Sequence, residues 1–163
     1  MASVKGGSKF VGWLNQLKNK LLKEKVLQVG FMENAKYPDG TSVAMVAAIQ
    51  EYGAPRANIP PRPYFRNMIA AKHKEWGPAI AGLLKQHNYD TSATLLEAGD
   101  HIAEQLKQSI RDTNSPPLKP KTIQRRGGKG TEIFNPKDPK TFIAKPLIHT
   151  AQMINSVTRR IKK

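Results

Sequence analysis

The stretch Ile59-Pro60-Pro61-Arg62-Pro63-Tyr64-Phe65-Arg66 sets the strictest limit on how this chain can fold. Pro60, Pro61 and Pro63 have a locked φ and no amide hydrogen, which bars the segment from a helix interior and from a central strand. Polyproline II is its natural conformation, so it reads as a stiff strut. Pro63 is placed for the first turn of a helix, and behind it Phe65, Met68, Ile69, Trp76, Ile80 and Leu83 follow one helical stripe. Gly77-Pro78 is expected to kink or divide that helix.

The strut is flanked by regular patterns. Phe10, Trp13, Leu14, Leu17, Leu21 and Leu22 recur at helical spacing with lysines between them, predicting a basic amphipathic helix from near Ser8 whose apolar face is expected to join the core in preference to a membrane surface. "KVLQVGFM" reads as a strand, and Pro38-Asp39-Gly40 as a turn. Thr41 or Ser42 then caps a short, buried helix, "SVAMVAAIQEYG", which Gly53 stops. A further helix from Thr91 to Arg111 places Leu95, Leu96, Gly99, Ile102, Ala103, Leu106 and Ile110 on one face and Glu97, Asp100, His101 and Glu104 on the other.

From Asn114 six prolines and three glycines interrupt the pattern, and only Lys121 to Arg126 looks helical, so residues 113–147 read as an extended basic arm. A helical turn from Thr150 to Met153 and a strand from Val157 to Ile161, able to pair with the first strand, close the chain. The expected whole is a single α+β domain over 1–163, with about four main helices packed on a small antiparallel sheet. It comprises a basic N-terminal helix (1–25), a core (26–112), the arm (113–147) and a C-terminal strand (148–163).

Charge is distributed unevenly. Residues 1–25 carry a net +5, residues 26–114 are neutral, and residues 115–163 carry +10, so the cationic character belongs to the flanks. Such a potential attracts polyanions without naming one. The chain has no cysteine, which excludes disulfides, thiolate metal sites and a cysteine nucleophile and fits a reducing compartment. No signal peptide and no membrane span is expected, since no apolar run is long enough.

Catalytic patterns are weak. The histidines at 73, 87, 101 and 149 fall in no hydrolase or metalloprotease motif. Glu97, Asp100, His101 and Glu104 have spacing that divalent metals accept, but they lie opposite the apolar stripe, where a solvated or partner-facing surface is the plainer reading. "RRGGKG" at Arg125 to Gly130 lacks phosphate-loop spacing and reads as a flexible basic contact segment. No enzyme, cofactor or metal is expected.

Three pieces, in order, carry a resemblance: "VGFMENAKYPDGTSVAMVAAIQEYGAPRANIPPRPYFR", "SPPLKPKTIQRRG" and "KPLIHTAQMINSVT". Together they resemble a family of tailed-bacteriophage neck proteins, described as virion morphogenesis, tail-completion or head-tail joining proteins. Gln50, Glu51, Gly53, Pro60, Arg62, Pro116, Leu118, Lys145 and Pro146 are among the matching positions. His149 and Ala151 stand where the family pattern has aspartate and glycine, which leaves that pattern's capping and positive-φ roles open here.

The resemblance implies a non-enzymatic virion protein, made in the host bacterial cytoplasm, that forms a ring between capsid portal and tail. Its implied partners are copies of itself, portal-side connector proteins and tail-tube or tail-terminator proteins. In that setting the strut is expected to hold Arg62, Tyr64 and Phe65 at a subunit contact, with Glu97 and Glu104 meeting Arg125 and Arg126 of a neighbour's arm. Lys18, Lys23, Lys129, Arg159 and Arg160 would face a polyanion, either DNA in the neck channel or an acidic adjoining ring. The alternative is a stand-alone basic nucleic-acid-binding protein, which the net charge of +15 alone would favour.

Overall fold

Two long helices and a two-stranded ribbon organise the chain, in a computed structural model that describes residues 7–21, 25–125, 132–135, 138–144, 146–147 and 151–162. The elements run α1 (Gly7–Leu21), β1 (Val26–Phe31), α2 (Val43–Tyr52), α3 (Tyr64–Gln86), α4 (Thr91–Asp112), α5 (Pro120–Arg125), β2 (Glu132–Asn135), β3 (Asp138–Ala144), α6 (Gln152–Asn155) and β4 (Val157–Lys162). The fold is α+β, with four main helices and a small antiparallel sheet of β1 and β4.

α3 and α4 are joined by four residues, too few for anything but an antiparallel pair. Asn88 and Tyr89 make the reversal at positive φ, 49° and 63°. Asp90 then caps α4, its carboxylate accepting from the amides of Ser92 at 2.8 Å and Ala93 at 3.2 Å. The other side of α4 lies on the ribbon, where Val26 pairs with Lys162 and Phe31 with Val157. Gly99 permits that approach, because a Cβ there would sit 2.6 Å from Arg159 Cδ and 2.8 Å from Leu27 Cδ1.

The core gathers Val43, Tyr64, Met68, Leu106, Ile110 and Met153 where α2, α3, α4 and α6 meet. The turn before α2 forms as its residues dictate: Asp39 Oδ1 accepts from Thr41 N at 2.9 Å, and Gly40 takes φ 84°. Ser42 caps α2, and Gly53 ends it at φ 77°. Ala151 occupies the left-handed region at φ 56°, a conformation that favours glycine.

Four details differ from expectation. α3 runs unbroken through Gly77-Pro78, which lie with Lys74 on its exposed side, away from core packing. Pro63 is the N-cap of α3 instead of a first-turn residue, and the last helical turn falls at Gln152–Asn155. Part of the arm is a hairpin, β2 on β3, with Ile133 opposite Ile143 and Phe134 opposite Phe142. Its short β-branched and aromatic runs sit among prolines and glycines that hide the alternation.

The largest correction concerns α1. Its apolar face is not core: Phe10, Trp13, Leu14 and Leu21 are all exposed. Lys20 Nζ donates to the Asn88 carbonyl at 3.3 Å, near the α3–α4 turn. Among the described residues, no helix is long and apolar enough to cross a membrane.

Candidate functional site

The junction between α2 and α3 is built by the strut. Beyond Gly53 the chain makes a 3-10 turn at Pro55–Ala57 and passes Asn58 at φ 54°. An Ala54–Ile59 bridge then closes the loop. The strut returns so close to the end of α2 that a Cβ on Gly53 would lie 2.8 Å from Pro61 N and 2.9 Å from the Ile59 carbonyl oxygen. Glycine is therefore required there by both space and φ.

Once alongside α2, Arg62 N donates to the Gln50 carbonyl at 2.7 Å. The Arg62 side chain is only 4% exposed despite its charge. Its Nη1 donates to Gln50 Oε1 at 3.2 Å, and its Nε donates to the Pro116 carbonyl at 3.0 Å. One guanidinium thus ties the strut to α2 and to the start of the arm. A buried arginine needs this planar fork of donors to be tolerated.

Pro63 cannot cap α3 with its side chain, so the first amides of that helix need another acceptor. Glu51, one residue before the end of α2, supplies it. Its carboxylate accepts from Phe65 N at 2.9 Å, Arg66 N at 3.2 Å and Arg66 Nε at 2.8 Å. The negative charge sits at the positive end of the α3 dipole. Arg66 also donates from Nη2 to the Glu51 carbonyl at 3.2 Å and lies 5.1 Å over the Tyr52 ring.

Tyr64 completes the junction from inside. It is 1% exposed, its hydroxyl donates to the Ala47 carbonyl at 3.1 Å, and its own carbonyl accepts from Ser109 Oγ at 2.7 Å. Burial, reinforced by the nearby Glu51 charge, pushes the Tyr64 phenol well above the usual tyrosine range. It therefore stays a neutral donor linking α2 to α3 and, through Ser109, to α4.

A cleft of about 610 Å3 opens on this junction, and Gln50, Ile59, Arg62, Pro116, Leu118 and Pro146 line it. These residues come from three segments far apart in the chain. The arrangement can hold backbone geometry: Glu51, Arg62 and Arg66 are spent on carbonyls, amides and one another, while Lys119 and Lys121, also in the lining, are exposed.

The predicted contact residues fall in different places. Arg62 and Tyr64 are interior, where they lock two helices of the same chain. Phe65 is half-buried against the core, edge-on to Tyr64. Glu97 and Glu104 do share the outer face of α4, but both have partners within the chain. Glu97 Oε2 lies 2.6 Å from His87 Nε2, and Glu104 Oε1 lies 2.9 Å from Arg111 Nη1.

Arg159 reaches back from β4 to Asp100 at 2.6 Å, and Arg160 Nη2 donates to Gln28 Oε1 at 3.1 Å. Lys18 is exposed on α1, and Arg125 ends α5. Lys23, Arg126 and Lys129 lie outside the described residues. Among the described residues no group of three or more His, Asp or Glu side chains is arranged to hold a metal ion. The stripe on α4 is dispersed because Glu97 turns to His87, Asp100 to Arg159 and Glu104 to Arg111.

Glu51 stands among the matching positions, but its task as the cap of α3 emerges only in the structure. Its signal was present: an acid two residues before a helix-stopping glycine, followed by a helix led by a proline with no capping group. Compared with protein-family models, with curated proteins and with solved structures, the chain has no match.

Proposed function

We propose that this chain is a structural, non-enzymatic subunit of the neck of a tailed bacteriophage, several copies of which form a ring between the portal-side connector and the tail. The single observation that carries the reading is the convergence at the strut. The three sequence pieces that resemble the neck family are separated by about 80 residues at most, yet Gln50 and Arg62 of the first, Pro116 and Leu118 of the second and Pro146 of the third line one cleft. Matching positions that share a physical task, here bracing one junction, support a shared fold more strongly than matching residues scattered over a surface.

A ring subunit needs a rigid body whose two different contact patches keep a fixed angle. The Glu51, Arg62 and Tyr64 locks provide such rigidity around the strut. In this reading the protein resides in the virion, and its partners are copies of itself and the adjoining connector and tail proteins. The test is imaging by cryo-electron microscopy of particles from a phage that encodes this chain, with and without an intact copy. Density for the chain at the head-tail junction, and unjoined heads and tails without it, is the expected result. Intact virions lacking the chain would overturn the reading.

The cationic flanks favour a second reading, a nucleic-acid-binding protein, for which exposed Lys18 and Arg160 are the described candidates. A titration of the purified chain with DNA across a salt series separates the two. Tight, sequence-preferring binding by a monomer belongs to the second reading.

A further inference from the structure

Two surfaces that the junction does not use match each other. On α1, Phe10, Trp13, Leu14 and Leu21 are 60%, 49%, 41% and 42% exposed, and Phe10 stacks on Trp13 with ring centroids 6.0 Å apart. Apolar surface of this kind, continuous along a helix, marks an interaction face. Between α3 and α4 lies an open groove of about 420 Å3 whose walls include Trp76, Ala79, Ile80, Leu83, Ala98 and Ile102. Every lining residue belongs to α3 or α4, so the chain's own α1 lies outside it. The one polar edge of Trp76 is already satisfied, since Nε1 donates to Gln105 Oε1 at 2.8 Å.

We propose that α1 of one copy docks lengthwise in the α3–α4 groove of the next copy. The inference rests on the reading that copies of this chain assemble side by side. Length fits: Phe10 to Leu21 and Glu75 to Gln86 each span about 16 Å of helix. Charge fits as well. α1 carries Lys9, Lys18 and Lys20 with no acidic residue, whereas the groove lining holds one carboxylate, Glu75, and no lysine or arginine. Among the described residues Glu75 has Lys72 as its one ion-pair partner, at 3.1 Å, and its side chain stays largely open to solvent.

The charges also set the direction. With α1 antiparallel to α3, Lys18 and Lys20 lie at the Glu75 end, and the N-terminal turn of α1 lies at Gln86. An anionic lipid surface would suit α1 but leave the groove empty. A second copy occupies both surfaces, and the contact joins two unlike patches, as a ring requires.

Because the chain has no cysteine, single replacements report on the contact. Val11→Cys chain is mixed with tagged Gln86→Cys chain under mild oxidation, and with tagged Glu75→Cys chain as the opposite orientation. A disulfide-linked heterodimer with Gln86→Cys, in clear excess over Glu75→Cys, is expected. Adding Trp13→Ser and Leu14→Ser should cut its yield by about tenfold or more, as loss of an aromatic anchor does. Gly82→Arg should do the same while leaving the fold intact, because nothing lies within 4 Å of a Cβ placed there.

If the chain forms rings whose yield is unchanged by all three substitutions, the docking is overturned and the ring reading survives. A chain that stays monomeric, alone and with neck components, overturns both. Binding to phosphatidylcholine vesicles containing phosphatidylserine, with a blue shift of tryptophan fluorescence that Trp13→Ser abolishes and no heterodimer, would assign α1 to lipid and overturn the docking.

Discussion

At the strut junction charged residues are inside, and on α1 large apolar residues are outside. Glu51 and Arg62 are 5% and 4% exposed, while Phe10 is 60% exposed. Both regions invert the usual partition of residue types, for opposite reasons. Glu51 and Arg62 are tolerated because backbone amides and carbonyls that have lost their regular partners need an acceptor and a donor at those points. No group in the described chain performs the corresponding service for α1, whose apolar face is left exposed. The difference separates polar residues that finish the fold from apolar residues that look beyond it.

The largest effect should come from Glu51→Ala. It strips two α3 amides and the Arg66 guanidinium of their acceptor at once, and should lower unfolding stability by ~3 kcal/mol. Most of that loss belongs to the amides, because the Arg66 side chain is 56% exposed and its ion pair is weakened by solvent. Urea denaturation measures it, and a loss no larger than that of an ordinary surface substitution would break the comparison at its interior end.

Gly99→Ala asks whether tight packing is special to the junction or extends to the ribbon. Its methyl would press on Leu27 and Arg159, so overpacking should outweigh the gain in helix propensity and leave a net loss of ~1 kcal/mol. The same denaturation measurement applies, with an unchanged or raised stability showing that the ribbon yields.

Next comes acid, which probes an exposed cap for contrast with the buried one. Two amide hydrogen bonds hold the Asp90 carboxyl below its usual range. Its stabilising contribution is therefore complete above the ordinary aspartate pKa and lost as pH falls through the lower, folded-state value. Thermal midpoints measured from about pH 5 to about pH 2 should fall less steeply in Asp90→Asn, which caps without titrating. An identical slope would remove Asp90 from the acid response.

The smallest effect should be that of Trp13→Ser on a monomeric sample, within about 0.5 kcal/mol. A much larger loss would mean that α1 is already packed in the single chain, and would erase the contrast.

How much was legible depends on how local the cause was. The Pro38-Asp39-Gly40 turn, the Ser42 cap, the Gly53 stop and the α4 stripe each arise from residues within a few positions of one another, and each formed where its chemistry indicated, except that Leu96 of the stripe is exposed. The pairing of the first and last strands was also readable, since two short alternating runs needed partners. The β2–β3 hairpin was hidden because its alternation is brief and its flanks are rich in proline and glycine. The site was half legible. The stiffness of Pro60, Pro61 and Pro63 was evident, but not the direction in which it points Arg62 and Tyr64.

By itself the sequence determined that this chain would be an α+β protein, with a proline strut leading a long helix, a neutral centre and cationic flanks, because φ restriction, periodicity and charge are properties of neighbouring residues. Only the tertiary structure decided that the strut turns its arginine inward to a carbonyl 54 residues away, and that a helix with core-like spacing leaves its apolar face in water. Burial is a property of what surrounds a residue, and no local pattern states what will be there.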